Sequence, residues 1–99
     1  MGNKIIFSSS GAKELKDSYH WYENKRKGLG DKFLILIDLT IKLIQSNPEG
    51  FPKKNGHFRE ATLKRFPYQI IYEYLKENKT VYILHVFHTK RHPKIKYKL

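Results

Sequence analysis

Apolar and polar residues alternate most clearly between Phe66 and Leu75. There Tyr68, Ile70, Tyr72 and Tyr74 fall on one side of a pleated strand, and Gln69, Ile71, Glu73 and Leu75 on the other. Aromatic and β-branched side chains suit such a surface. Lys76-Glu77-Asn78-Lys79 interrupts the pattern, and Asn78 is the residue expected to take the positive φ of a tight turn. The next run, Thr80 to His88, sets Val81, Ile83, His85 and Phe87 against Tyr82, Leu84, Val86 and His88. Phe58 to Arg65 reads as a weaker strand leading in. Pro67 has no N–H to give a ladder and marks the bend between the first two strands. The three runs predict an antiparallel meander.

The period changes in the N-terminal half. Lys4 to Ser8 is a short strand candidate, and Ser8, Ser9 and Ser10 each offer a hydroxyl to cap a following helix. From Gly11 to Lys27 the apolar positions Ala12, Leu15, Tyr19 and Tyr22 recur at intervals of three and four, one helical stripe, with Trp21 off it. Gly28-Leu29-Gly30 ends this helix and lets the chain reverse. Asp31 then sits near the start of a second helix, where its charge complements the macrodipole. Phe33, Ile37, Thr40, Ile41 and Ile44 form the second stripe, widened by Leu36, Leu39 and Leu43. So broad an apolar surface is either buried between the sheet and the first helix or left as a face for a partner, and burial of most of it is the expectation. Asn47-Pro48 stops the helix, and Glu49 to Gly56 predicts a loop. In the tail, Lys94, Lys96 and Lys98 alternate with Ile95, Tyr97 and Leu99, as a short added strand or an unpaired end. The class is therefore α+β: an N-terminal strand, an α-helical hairpin, then an antiparallel meander of three or four strands. The hairpin packs on one face of the sheet and leaves the other face free. A chain of 99 residues supports a single domain over residues 1–99.

Composition adds charge to this picture. The chain holds 20 Lys+Arg against 9 Asp+Glu, a net +11, which favours phosphate backbones, anionic membranes or acidic protein partners. It has no cysteine, hence no disulfide and no thiolate metal site. Ile5-Ile6-Phe7 is too short for a signal peptide. Phe33 to Ile44 is interrupted by Asp38 and Lys42 and is too short to span a bilayer. The expectation is a cytoplasmic protein with no membrane partner.

The candidate chemistry is cationic. Arg59, Lys64, Arg65, Lys90 and Arg91 gather at the ends of the meander strands, and arginine suits bidentate phosphate contact. Tyr97 offers a proton acceptor or a ring to stack on a base. His85 and His88, three apart on one strand, face opposite sides, so no metal site and no cofactor are expected. His88 is read as bonding the loop after its strand and so fixing Arg91. Tyr19 and Tyr22 are read as core, and Trp21 as a candidate partner contact. No Ser–His–Asp arrangement, Gly-rich phosphate loop or carboxylate pair stands out. Any catalysis would rest on cations holding a phosphate while a 2′-hydroxyl attacks.

Four segments together resemble the ParE/RelE toxin superfamily, also known as plasmid stabilisation proteins: WYENKRKGLGDKF at Trp21 to Phe33, Asn47-Pro48, RFPYQIIY at Arg65 to Tyr72, and HTKRHP at His88 to Pro93. They cover nearly the whole chain in order. The resemblance implies the element order above, a growth-inhibiting role, and a cognate antitoxin, acidic and partly disordered, as partner. It also implies one of two activities: inhibition of DNA gyrase in the ParE-like branch, or ribosome-dependent cleavage of mRNA in the RelE-like branch. The WYE…GLGDKF stretch is similar to the ParE-like branch. Of the RelE-like catalytic set, Arg65, Arg91 and Tyr97 match by position. The two lysines which that branch carries on its first meander strand are replaced here by Glu60 and Thr62. A non-toxic basic nucleic-acid-binding module is the other reading that charge and exposed aromatics support.

Overall fold

The computed structural model describes residues 2–90. Its elements are β1 (Lys4–Phe7), α1 (Ser9–Lys25), α2 (Leu29–Ser46), β2 (Lys53–Asn55), β3 (Phe58–Thr62), β4 (Tyr68–Leu75) and β5 (Thr80–His88). The strands form one sheet in the order β1-β5-β4-β3-β2. β1 lies parallel to β5, and the other neighbours are antiparallel. The predicted α+β architecture is the one observed, with two refinements. Part of the predicted Glu49–Gly56 loop is an edge strand, β2, paired with β3. The turn before β5 places Lys79, not Asn78, at positive φ (48°), after a short 3₁₀ turn over Lys76–Asn78. The predicted tail strand lies outside the described residues.

The helical hairpin covers one face of the sheet. Phe33, Ile37 and Ile44 of α2 and Tyr22 of α1 pack with Tyr68, Ile70, Tyr72, Val81, Ile83 and Val86. The burial of α1 is turned by one residue from the predicted stripe: Gly11, Ser18 and Tyr22 are buried and Ala12 is exposed. The cause is close approach. A Cβ on Gly11 would stand 2.9 Å from the Ile83 carbonyl oxygen, so the helix start lies directly on β5.

β5 departs from the predicted alternation. Tyr72 pairs with Ile83 but Ile71 pairs with His85, so Leu84 is extra to the ladder. An added residue flips every later side chain to the other face. Val86 therefore joins the core opposite Ile70, and the His88 ring meets Tyr68 at 5.0 Å. His85 and Phe87 fall on the other face, against Ile71 and Gln69. The bulge lies where β1 has ended, and polar groups from the start of α1 cover the exposed edge. Ser8 donates its N–H to the Ile83 carbonyl (2.8 Å) and its hydroxyl to that of Leu84 (2.7 Å), while its oxygen accepts from Gly11 N–H as N-cap (2.9 Å). Glu14 accepts from Val86 N–H at 3.0 Å and meets His85 Nδ1 at 3.1 Å.

Both ends of α2 are pinned. At its C-terminal end Asn47 caps the helix, and the Pro48 carbonyl accepts from the Tyr72 hydroxyl at 2.6 Å. At its N-terminal end the Glu23 carboxylate accepts from Gly28 N–H (2.9 Å) and Gly30 N–H (3.0 Å), satisfying donors that a helix start leaves open. Among the described residues no helix is long and apolar enough to cross a membrane.

Candidate functional site

Three surfaces offer themselves, and the fold assigns the predicted residues among them. The first is the sheet face away from the helices. Cross-strand partners share a face, so the pairs Glu60–Ile71, Thr62–Gln69 and Phe58–Glu73 place β3 and β4 side chains here, joined by Phe87 and His85 of β5. Its middle is apolar and buried, with Ile71 at 0% and Phe87 at 6% exposure. Its polar groups are mostly acids and amides. Gln69 donates to Glu60 Oε1 and Thr62 Oγ1, each at 3.2 Å, and Glu73 meets His57 at 3.0 Å. Among the described residues β3 brings no cation to this face.

The second surface is one end of the molecule, where three turns meet. Phe66, in the bend between β3 and β4, packs edge-on against Tyr22 (4.8 Å) and Phe33 (5.3 Å), which draws that bend onto the helical hairpin. Thr89 donates its N–H to the Pro67 carbonyl at 2.8 Å, which draws in the turn after β5. Lys25, Arg26, Lys27 and Lys32 of the hairpin, Lys64 and Arg65 of the bend, and Lys90 are all exposed there. A groove of about 520 Å³ runs between Arg26, Lys32 and Arg65, floored by Leu29, Leu36 and Phe66. The acids nearby are engaged: Glu23 faces the Gly28 and Gly30 amides, and Asp31 lies beside Tyr19, raising that phenol above its ordinary value.

The third surface is the outward ridge of α2. Ile35, Leu39 and Leu43, one turn apart, are 58%, 50% and 60% exposed, and Leu34 lies at the margin. Most of the broad apolar stripe is covered, as expected, since Phe33, Ile37 and Ile44 are buried and Leu36 and Ile41 pack against the core, but Leu39 and Leu43 of it are left in the open. The sheet and α1 are wide enough to cover Phe33, Ile37 and Ile44 but leave the residues on the opposite side of the helix in the open.

The predicted cations thus separate. Lys64, Arg65 and Lys90 share the basic end. Arg59 lies on the helix-covered side opposite Tyr72, and its Nη1 donates to the carbonyls of Glu49 (3.2 Å) and Phe51 (2.5 Å), tying down the loop after α2. His88 Nδ1 accepts from Lys90 N–H at 3.2 Å, a bond to the turn after its strand. Trp21 is 43% exposed, with Lys25 Nζ 4.7 Å above its ring. Arg91 and Tyr97 lie outside the described residues. Sequence reasoning passed over Arg26 and Lys32, which read as the wet side of helices. It also passed over Glu23, whose signal was an acid five and seven residues ahead of the two turn glycines.

The model of the family described as the ParE toxin of type II toxin–antitoxin systems, parDE, matches residues 5–93. Among solved structures, the chromosomal ParDE TA system from P. aeruginosa contains a chain that is similar in fold. The TM-score is 0.74 at 20% identity, over 87% of this chain and 95% of that one. No curated protein matches the sequence.

Proposed function

We propose, since the chain belongs to the ParE toxin family of type II toxin–antitoxin systems, that it arrests growth by inhibiting DNA gyrase or a related protein target and does not itself cut nucleic acid. The observation that carries this reading is the sheet face opposite the helices. A RelE-like nuclease needs cations there to hold the scissile phosphate. Here β3 contributes Glu60 and Thr62, around a buried Ile71 and Phe87. Losing even one positioned donor from such a site costs on the order of 3 kcal/mol of transition-state stabilisation. Arg65, the described member of the RelE-like set, lines the groove beside Arg26 and Lys32 instead.

Ribosome-dependent mRNA cleavage by Arg65, Arg91 and Tyr97 is the second reading, favoured by the match of those three positions in sequence. A gyrase supercoiling assay run beside a primer-extension map of mRNA on ribosomes, with wild type and Arg91→Ala, separates the two. The expected result is loss of supercoiling and no cleavage. Cleavage within the ribosomal A site that Arg91→Ala abolishes, with the fold intact, overturns the proposal.

The silencing partner in this reading is an acidic antitoxin segment, disordered when free, that folds as it covers the α2 ridge and a sheet edge. A net charge of +11 and the exposed Ile35, Leu39 and Leu43 support it. Co-expression with the adjacent small gene is expected to give a stable complex and to relieve growth arrest.

A further inference from the structure

We propose that the basic end of the molecule, centred on the groove between Arg26, Lys32 and Arg65, holds the phosphodiester backbone of a nucleic acid. Neither the sheet face away from the helices nor the α2 ridge has the charge for this. The end collects its cations from three turns far apart in sequence: Lys25 to Lys27 with Lys32, Lys64 with Arg65, and Lys90. Aromatic packing of Phe66 and the Thr89–Pro67 hydrogen bond hold those turns together. The two acids nearest to them are turned to other partners: Glu23 to backbone amides and Asp31 to Tyr19. Both acids keep their charge in these contacts, but they stand against these seven cations, so the end stays positive and is part of the net +11 of the whole chain.

The spread of these charges selects the ligand class. Cations on long stems over three separate turns are met by a continuous string of evenly spaced phosphates. An acidic helix, with its carboxylates on one face, meets only some of them. The groove floor of Leu29, Leu36 and Phe66 gives a sugar or an unpaired base an apolar seat between the charges. Arginine at two of the three groove positions suits bidentate phosphate contact. Binding of this kind reads no sequence and is driven by counterion release, so it weakens steeply with salt.

The test uses the full chain and fluorescence anisotropy of a short labelled DNA duplex and, separately, its single strand, across a range of salt. The triple variant Arg26→Gln, Lys32→Gln, Arg65→Gln is set against Lys4→Gln, Lys53→Gln, Lys54→Gln. The second removes the same charge from exposed positions on β1 and β2. Thermal melts check that both remain folded. The groove variant is expected to bind at least ten-fold more weakly at low salt. Its salt dependence should be shallower by roughly 2–3 in log–log slope, the share of three phosphate contacts. The edge variant should keep most of both. Equal losses for duplex and single strand mark the shared backbone as the ligand, and a loss confined to one form assigns the end to that form. Equal weakening by the two variants would reduce the effect to net charge and overturn the proposal. So would no binding to either DNA form, or an equal loss of binding to polyglutamate, which would mark the end as a seat for acidic protein.

Discussion

The two faces of α2 are built from the same residue types and meet opposite fates. Phe33, Ile37 and Ile44 are at most 2% exposed, while Ile35, Leu39 and Leu43 on the far side stand half open to solvent or more. Hydrophobic pattern marks what a helix can bury, and the width of the layers around it decides what it does bury. The inner face is fold, and in the proposed reading the outer face is the antitoxin's seat. The difference should show as a sharp split between stability and binding when each is cut back.

The largest effect is expected inside. Phe33 has no exposed surface and packs against Tyr22, Phe66 and Tyr68 with ring centroids 4.9–5.3 Å away. Phe33→Ala should cost about 3–5 kcal/mol, read as a lower denaturant midpoint. In a domain of this size that approaches the whole stability. If it costs less than ~1 kcal/mol, the inner face is not the core and the comparison fails.

A second route is to move the helix. A Cβ on Gly30 would stand 2.7 Å from the Tyr19 carbonyl oxygen, a backbone atom that cannot swing aside. Gly30→Ala should therefore splay the hairpin and cost about 1–3 kcal/mol, measured by chemical denaturation. Glu23→Gln leaves the same shape but puts an NH2 donor in place of one of the two oxygens that accept from the Gly28 and Gly30 amides, so one amide loses its acceptor, and it should cost less than Gly30→Ala.

How far these features were legible in sequence follows from which interactions are local. The helices, the stop at Asn47-Pro48 and the strand over Thr80 to His88 rest on periodicity and backbone chemistry within a few residues, and the sequence shows them. The bulge at Leu84 does not show. It depends on β1 ending at Phe7 and on Ser8 and Glu14 arriving more than seventy residues away in sequence. Gly11 and Ser18 look polar or empty in a stripe, yet they are buried because α1 sits so close to β5. In the candidate site, Lys64, Arg65 and Lys90 could be named as strand-end cations. That Arg26 and Lys32 join them, and that Arg59 leaves to hold a loop, depends on how three turns fold together.

At the C-terminal end of α2 the smaller lever is Tyr72. Its hydroxyl is the donor to the Pro48 carbonyl, and Tyr72→Phe should cost about 1–1.5 kcal/mol at neutral pH. Burial pushes the phenol up to about 12, with the nearby Arg59 charge pulling it partly back. The folded state thus keeps a proton that the unfolded chain gives up near the ordinary tyrosine value of about 10. Below that value both states are protonated and the contribution is intact. As pH rises from there through the folded value, the unfolded state binds fewer protons and the native state loses stability. The advantage of wild type over Tyr72→Phe should shrink across that window. A difference that stays flat with pH would mean that the phenol ionises alike in both states.

The smallest stability effect, and the one that sharpens the comparison most, belongs to the outer face. Leu39→Ala and Leu43→Ala remove side chains that are 50% and 60% exposed, on a helix whose ends are pinned elsewhere. Each should shift stability by no more than ~0.5 kcal/mol. The Asp38–Lys42 ion pair beside them, exposed at 3.0 Å, remains in both variants and contributes about 0.3–0.5 kcal/mol at most. If the antitoxin binds here as proposed, the same truncations remove apolar anchors one helical turn apart, and each should weaken the complex by about 1–2 kcal/mol, roughly five- to thirty-fold in Kd. Calorimetric titration beside denaturant melts reads both quantities on the same protein. A stability loss comparable to that of Phe33→Ala would mean that the ridge is core by another name. Unchanged antitoxin affinity with unchanged stability would move the antitoxin to a different surface and leave the exposed leucines without a partner. A drop in affinity at constant stability is the outcome that separates interface from fold on the two sides of one helix.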